Sequence, residues 1–397
     1  MVTNFFDEQV TFDRYEDLFQ YLVKKNQTTP VIVIIDEFSY LMQSDDSILS
    51  VLQNIIDHQL LTSTVKLILS GSHISMVEDM LTAQKPLYGR NTFVLPLKPF
   101  NYQEAVLFYP HFSLEEKIRF FSVFGGVPFY LARINQKESF ADNIINLVLA
   151  YGSLLENEIE FFLKQELRKT GNYVKILQTI AQGNTQLNNI AYKSGLNNTG
   201  TTVKYITILE KMGLIGKETC FGKRNQKRTL YYIKDQFFNF YFHFIEKNRS
   251  AKNILEGKEF YQKFISLQID EFVSHEFEKI AQTFLSQKYR MSLKEIGRHF
   301  GKTKIKKEDK SIEQETEIDL LVLTDQTLSA YECRWQNAKI DLSAVTAFES
   351  KIKAMTKFPV DKIGFFSKSG YEQEVLSLNH EFYTLKDLYP EKEPETL

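Results

Sequence analysis

The period of the hydrophobic pattern changes along the chain, and each change predicts a different kind of element. "VIVIIDEF", from Val31 to Phe38, is an unbroken aliphatic run, the pattern of a strand buried in a parallel sheet. "SILSVLQNIIDHQL" has helical spacing, and "VKLILSGS" is a second aliphatic run that ends in small polar residues at Ser70 and Ser72. Strand, helix and strand at this spacing predict a βαβ unit. "PLYGRNTFVLPLKPF" predicts loops around a short strand. Residues 111 to 165 predict helices broken by the turn "GGVP" at Gly125 to Pro128.

The rhythm shifts near residue 172. "YVKILQTIAQ", "QLNNIAYKSG" and "TTVKYITILEKMG" predict three short amphipathic helices, and "LIGKETCFGKRNQKRTLYYI" predicts two strands joined by a basic turn. Three helices and a hairpin in this order predict a winged helix. The aromatic run "KDQFFNFYFHFIEKN" predicts a segment that packs the next domain onto this one. After about residue 255 a long helix, two successive strands, a helix and a further strand predict a second α/β domain.

Composition narrows the classes. A chain of 397 residues, 43% hydrophobic and 25% charged, has room for two or three soluble globular domains. A net charge of −2 creates no bulk field toward nucleic acid, so any such contact must come from local patches. Cys220 and Cys333 are too few and too far apart for a disulfide framework or a metal knuckle. No run approaches the roughly 20 apolar residues of a membrane span, and "MVTNFFDEQVTF" lacks the regions of a signal peptide. The expected location is cytoplasmic, with no membrane partner.

Three stretches carry candidate chemistry. Asp36 and Glu37 end an aliphatic strand, which is how nucleotide-hydrolysing sheets hold Mg²⁺ and polarise a water. The phosphate loop GxxxxGK[ST] that normally accompanies them has one near match, "GRHFGKT" at Gly297 to Thr303, with three residues between its glycines instead of four. That is a chance match. The competing reading of Asp36 and Glu37 is a pair of solvated charges closing a strand.

The second stretch is the third helix of the winged helix. Asn197, Asn198, Thr201, Thr202, Lys204 and Tyr205 near its start form a groove-facing set, with Ile206, Ile208 and Leu209 toward the core. Lys223, Arg224, Lys227 and Arg228 at the wing tip suit phosphate contacts. DNA binding is the sharper reading, and a protein-interaction or purely structural module is the other.

The third stretch is "EIDLLVLTDQTLSAYECRW". Asp319 on one strand converges with Glu332 on the next, with Arg334 beside Glu332 on the same face and Cys333 on the other. Two such carboxylates can share Mg²⁺. The alternative is an antiparallel hairpin with a surface Glu–Arg pair. Arg298, Lys302, Lys304, Lys306, Lys307 and Lys310 read as a basic loop close to a nucleic-acid phosphate or merely solvated.

"VIVIIDEFSYL", "LILSGS", "PLYGR" and "GGVPFYL", followed by "YYIKDQFFNFYFHFI" and "ECRW", resemble the archaeal-type AAA+/STAND-related P-loop ATPase family. In that family a P-loop domain precedes a winged helix and a nuclease-like domain. The resemblance implies ATP and Mg²⁺ as cofactors, with Asp36 and Glu37 as Walker B acids. It also implies Ser70 as a sensor-1 residue and Arg90 as an arginine finger acting in a homo-oligomer. The C-terminal stretch resembles a PD-(D/E)xK nuclease core. There Asp319 and Glu332 would be metal ligands, Glu278 would assist from the preceding helix, and Arg334 stands where a catalytic Lys is usual.

The expected architecture is therefore α/β. A partial P-loop ATPase sheet (1–110) precedes a helical lid (111–170), a winged helix (171–240) and a restriction-endonuclease-like α/β domain (255–397). The family's first strand and Walker A loop find no counterpart before Val31. The expectation is a truncated or degenerate relative that does not hydrolyse ATP alone. Two readings follow: a DNA-associated ATPase-family enzyme with a nuclease-like domain, or a non-catalytic DNA- or protein-binding module with degenerate ATPase and nuclease sites. A small-molecule hydrolase built on Ser70, Ser72 and His73 lacks the G-x-S-x-G elbow, and no His lies in an HExxH pattern for zinc.

Overall fold

A computed structural model describes residues 2–5, 8–71, 74–167, 169–222, 229–307, 310–355 and 359–389. The chain divides into two units, 1–97 and 98–397.

In the first unit, β1 (Val2–Phe5) and β2 (Glu8–Thr11) form an antiparallel hairpin. Helix α1 (Tyr15–Lys25) buries Leu18, Phe19 and Leu22, one stripe at helical spacing. β3 (Ile32–Ile35), α2 (Phe38–Ser44), α3 (Ile48–Ile55) and β4 (Lys66–Leu69) complete the expected βαβ unit, with Val33 opposite Leu67 and Ile35 opposite Leu69 in a parallel pair. The expected burial of β3 on both faces is not observed. Val33, Ile35, Leu67 and Leu69 pack against Phe19, Phe38, Ile48 and Leu52. Ile32, Ile34 and Ile68 are 64%, 65% and 48% exposed. Two strands with one covered face bury only alternate side chains. The short strand expected in "TFVLPL" does not form either: residues 92–97 are exposed and join no ladder.

The second unit contains the expected helices. α4 (Leu114–Phe124) starts at a capping box made by Ser113 and Glu116. The turn that ends it needs both glycines. Gly125 has φ +62°, and Gly126 accepts from the Phe100 amide at 2.9 Å where a Cβ would overlap the Phe100 carbonyl. α5 (Glu158–Glu166) follows. Then come three helices, α6 (Gly171–Ala181), α7 (Leu187–Lys193) and α8 (Thr199–Lys211), and an antiparallel hairpin of β5 (Ile215–Thr219) with β6 (Thr229–Ile233).

The aromatic run forms α9 (Gln236–Phe240) and a wider π turn over Tyr241–Ile245. It packs as its composition predicts. Phe237 stacks on Phe124 of α4 with centroids 6.1 Å apart, and Phe240 meets Phe272 edge-on at 6.0 Å. Phe272 lies on α10 (Ile269–Lys288), the helix that leads into a five-stranded sheet of order β11-β10-β9-β8-β7. β7 (Leu293–Lys307), β8 (Lys310–Thr324) and β9 (Leu328–Arg334) are antiparallel. α11 (Leu342–Lys353) then crosses to β10 (Lys362–Ser367), which runs parallel to β9 and to β11 (Glu381–Thr384). A single apolar cluster runs from Tyr102 to Leu388.

Candidate functional site

The strand-end acids of the first unit form a small polar cluster. Ser70, at the end of β4, donates its hydroxyl to Asp36 at the end of β3, so parallel pairing brings the two predicted residues together. The Glu37 amide approaches Asp36 Oδ1 at 3.1 Å and Ser70 Oγ at 3.4 Å, and the Phe38 amide donates to the Ser70 carbonyl at 2.8 Å. Glu37 has φ 50° and ψ 44°, a left-handed conformation that a non-glycine residue adopts at a cost of roughly 1–2 kcal/mol.

The oxygen donors of Asp36 and Glu37 suit Mg²⁺. The amides of Glu37 and Phe38 are engaged within the cluster. Arg90 goes elsewhere. Its Nε and Nη2 bind the two Asp57 carboxylate oxygens at 2.7 Å each, and Nη1 donates to the Pro86 carbonyl at 2.9 Å. That bidentate pair holds the Asp57 carboxyl below its ordinary range. The Arg90 fork is satisfied by Asp57 and Pro86 within its own chain. Ser72 and His73 lie outside the described residues.

Helix α8 separates its predicted set into surface and core. Thr201 and Lys204 are exposed, as are Asn197, with φ 50°, and Asn198. Asn198 caps the helix by accepting from the Thr201 amide at 2.8 Å. Thr202 is fully buried and returns its hydroxyl to the Asn198 carbonyl at 2.7 Å, so it faces no groove. Tyr205 is half-buried. It accepts from Asn172 Nδ2 at 2.8 Å and meets Tyr173 edge-on at 4.8 Å, which makes it a packing residue. Ile206 and Leu209 are buried as expected, whereas Ile208 lies on the surface. Lys223, Arg224, Lys227 and Arg228 lie outside the described residues.

Two features went unread in the sequence. Residues 167–209 contain no Asp or Glu but do contain Arg168, Lys169, Lys175, Lys193 and Lys204. All four lysines are exposed. Tyr192, near the end of α7, is 72% exposed. The missing acids were legible by simple count.

The C-terminal acids do converge. Leu320 of β8 opposes Tyr331 of β9, and Asp319 and Glu332 lie one step beyond this pair. The Cys333 amide donates to Asp319 Oδ2 at 2.8 Å. Glu332 is buried, so it is no surface charge. It pairs with Arg334, and Lys351 Nζ lies 3.9 Å from it. Glu278 on α10 pairs with Arg298, whose Nε is also 3.4 Å from Glu317. Burial raises all three carboxyls: Asp319, Glu332 and Glu278, the last pushed up to about 7 against the pull of Arg298. Among the described residues, no three of His, Cys, Asp or Glu are placed to hold a metal. The donor set as folded does not converge on one point for Mg²⁺.

The basic loop also proves to be strand. Lys302, Lys304, Lys306 and Lys307 belong to β7, and Lys310 begins β8. The register sets Lys302 opposite Glu315 and Lys304 opposite Glu313.

Comparison with known proteins agrees with part of this picture. An "ATPase domain predominantly from Archaea" matches residues 2–134, and "Archaea bacterial proteins of unknown function" match residues 241–345. The uncharacterised protein MJECL04 of Methanocaldococcus jannaschii is 32% identical over 334 residues, covering 82% of this chain and 71% of that protein. The uncharacterised protein MJ0424 of the same organism is 43% identical over 56 residues, 14% of this chain and 54% of its own length. The Aeropyrum pernix ORC2 protein, solved as ADPNP–ADP complexes, aligns with 64% of this chain and 72% of its own at 15% identity. Its TM-score of 0.24 carries no argument about fold. No helix among the described residues is long and apolar enough to cross a membrane. With MJECL04 matched along most of this chain and the archaeal ATPase domain matched at its start, the chain belongs to an archaeal ATPase family.

Proposed function

We propose that this chain is a DNA-binding member of that family, in which α6, α7, α8 and the β5–β6 hairpin act as a winged helix. In this reading α8 enters the major groove with Thr201 and Lys204, while Lys169, Lys175 and Lys193 meet backbone phosphates. One observation carries it: the surface built by residues 167–209 bears lysines and no carboxylate, in a chain whose acids otherwise outnumber its Lys and Arg. Amide, hydroxyl and ammonium donors in a segment that has no carboxylate of its own suit a polyanion.

The nucleotide chemistry of the family gives ATP and Mg²⁺ a general place here, and Asp36 and Glu37 are the residues that would meet the cation. In the C-terminal part, α10 before an antiparallel β7–β9 and α11 before the parallel β10 support a likeness to a metal-dependent nuclease core. Its carboxylates are neutralised by Arg298, Arg334 and Lys351, and this favours a binding module over a cleaving one. Fluorescence anisotropy of labelled duplex DNA with the full chain tests the proposal. Saturable binding is expected, weakened roughly tenfold or more by Lys193→Ala with Lys204→Ala at low salt. No binding at low salt, or binding indifferent to both substitutions, overturns it.

A further inference from the structure

Arg298 sits at an irregular point of β7. Gly297 pairs with Leu321 and His299 with Ile318, so β8 carries one extra residue, at Asp319–Leu320, opposite Arg298. Such a bulge turns a side chain out of the regular alternation and is a common way to aim it into a site. The Arg298 carbonyl accepts from the Phe221 amide at 2.9 Å, so the hairpin preceding the sheet holds the bulge in place. A second tie runs alongside: the Gly222 amide donates to Glu295 Oε1 at 2.8 Å. The Arg298 guanidinium pairs with Glu278 and Glu317, and its charge reaches Asp319 in the same acid cluster.

We infer that Arg298 is a built-in cation that occupies the place of a divalent metal and closes this acid cluster to one. The chemistry of the donor set supports it. Glu278 is bound to Arg298, Glu332 to Arg334 and Lys351, and Asp319 to a backbone amide. A hard cation needs several oxygens converging on one point, and each of these carboxylates is turned to its own donor. A planar, permanently charged guanidinium serves two carboxylates at once without the exchange of waters that Mg²⁺ requires. Arg298 faces the bulge of β8 that carries Asp319, which sets this arginine beside the cluster. The inference does not depend on DNA binding by residues 167–209, which the anisotropy experiment tests separately.

Thermal melting and Mn²⁺ titration calorimetry of the full chain test it. The wild type is expected to show no Mn²⁺ heat that depends on Asp319, and the same Tm for the transition reported by Trp335 in Mg²⁺, Mn²⁺ or EDTA. Arg298→Met keeps the aliphatic stem but removes the charge. It is expected to melt lower and to recover with Mn²⁺, and Arg298→Met with Asp319→Asn is expected to lose that recovery. Arg298→Lys keeps a positive charge and is expected to ignore Mn²⁺ as the wild type does. Saturable Mn²⁺ binding by the wild type that Asp319→Asn abolishes would overturn the inference. So would a folded Arg298→Met protein whose Tm does not respond to Mn²⁺. If Arg298→Met does not fold, the wild-type titration alone decides.

Discussion

The sheets of the two units begin from similar sequence and end in different environments. "VIVIIDEF" and "EIDLLVLT" are both aliphatic runs with acids, yet Ile32 and Ile34 lie open while Ile318, Leu320, Leu321 and Val322 are all buried. The difference is in the neighbours. β8 lies between β7 and β9, with α10 against one face and α11 contributing to the apolar cluster on the other, whereas β3 has one strand partner and one covered face. An aliphatic run shows that a strand can be buried; only the elements around it determine whether it is. The same contrast holds for the acids. Asp36 is exposed and held by hydroxyl and amide donors, while Glu278 and Glu332 are matched by arginines inside the fold.

The contrast can be broken by substitutions, and the largest effect belongs in the second unit. Phe237→Ala removes a fully buried ring between Phe124 and Tyr130 and is expected to cost about 3–5 kcal/mol. The single tryptophan, Trp335, lies in this unit, so its fluorescence during denaturation follows this unit alone.

Next in size is a pH effect from Asp235, which caps α9 by accepting from the Phe238 amide at 2.9 Å. Burial pushes its carboxyl up to about 6. A carboxyl raised on folding contributes stability that is fully present below the unfolded value of about 4 and is lost as pH rises through about 6. Relative to Asp235→Asn, the wild type should therefore lose on the order of 2 kcal/mol between pH 4 and pH 7. A flat difference across that range contradicts the assignment.

In the first unit the expected changes are smaller and one has the opposite sign. Glu37→Gly relieves the left-handed backbone and should slow hydrogen exchange in β3 and β4 by an amount worth about 1 kcal/mol. Ile34→Thr, on the open face, should shift stability by no more than about 0.5 kcal/mol. A loss comparable to Phe237→Ala would mean that the face is covered in solution.

Much of the fold was legible because its signals are local. The βαβ unit, the helices around "GGVP", the three helices with their hairpin and the aromatic packing segment all follow from period and punctuation. What escaped depends on pairing at a distance. The exposure of Ile34 needs knowledge of which strands lie beside β3, and the core position of Thr202 needs the rotation of α8 against its neighbours. The pairing of Arg90 with Asp57 and the bulge of β8 opposite Arg298 leave no trace in spacing. Asp36 with Ser70 was legible because parallel strands of equal length bring their ends together. The basic surface was legible too, in the missing acids of residues 167–209, although charge counted over the whole chain hides it.

The most direct test of the central claim is the salt dependence of duplex-DNA binding by the full chain and by Lys193→Ala with Lys204→Ala. The account predicts a log–log decline of affinity with salt whose slope shrinks by roughly 1 for each lysine removed, because each such contact releases a counterion. Binding with an unchanged slope in the double variant, or no binding at the lowest salt, would contradict it.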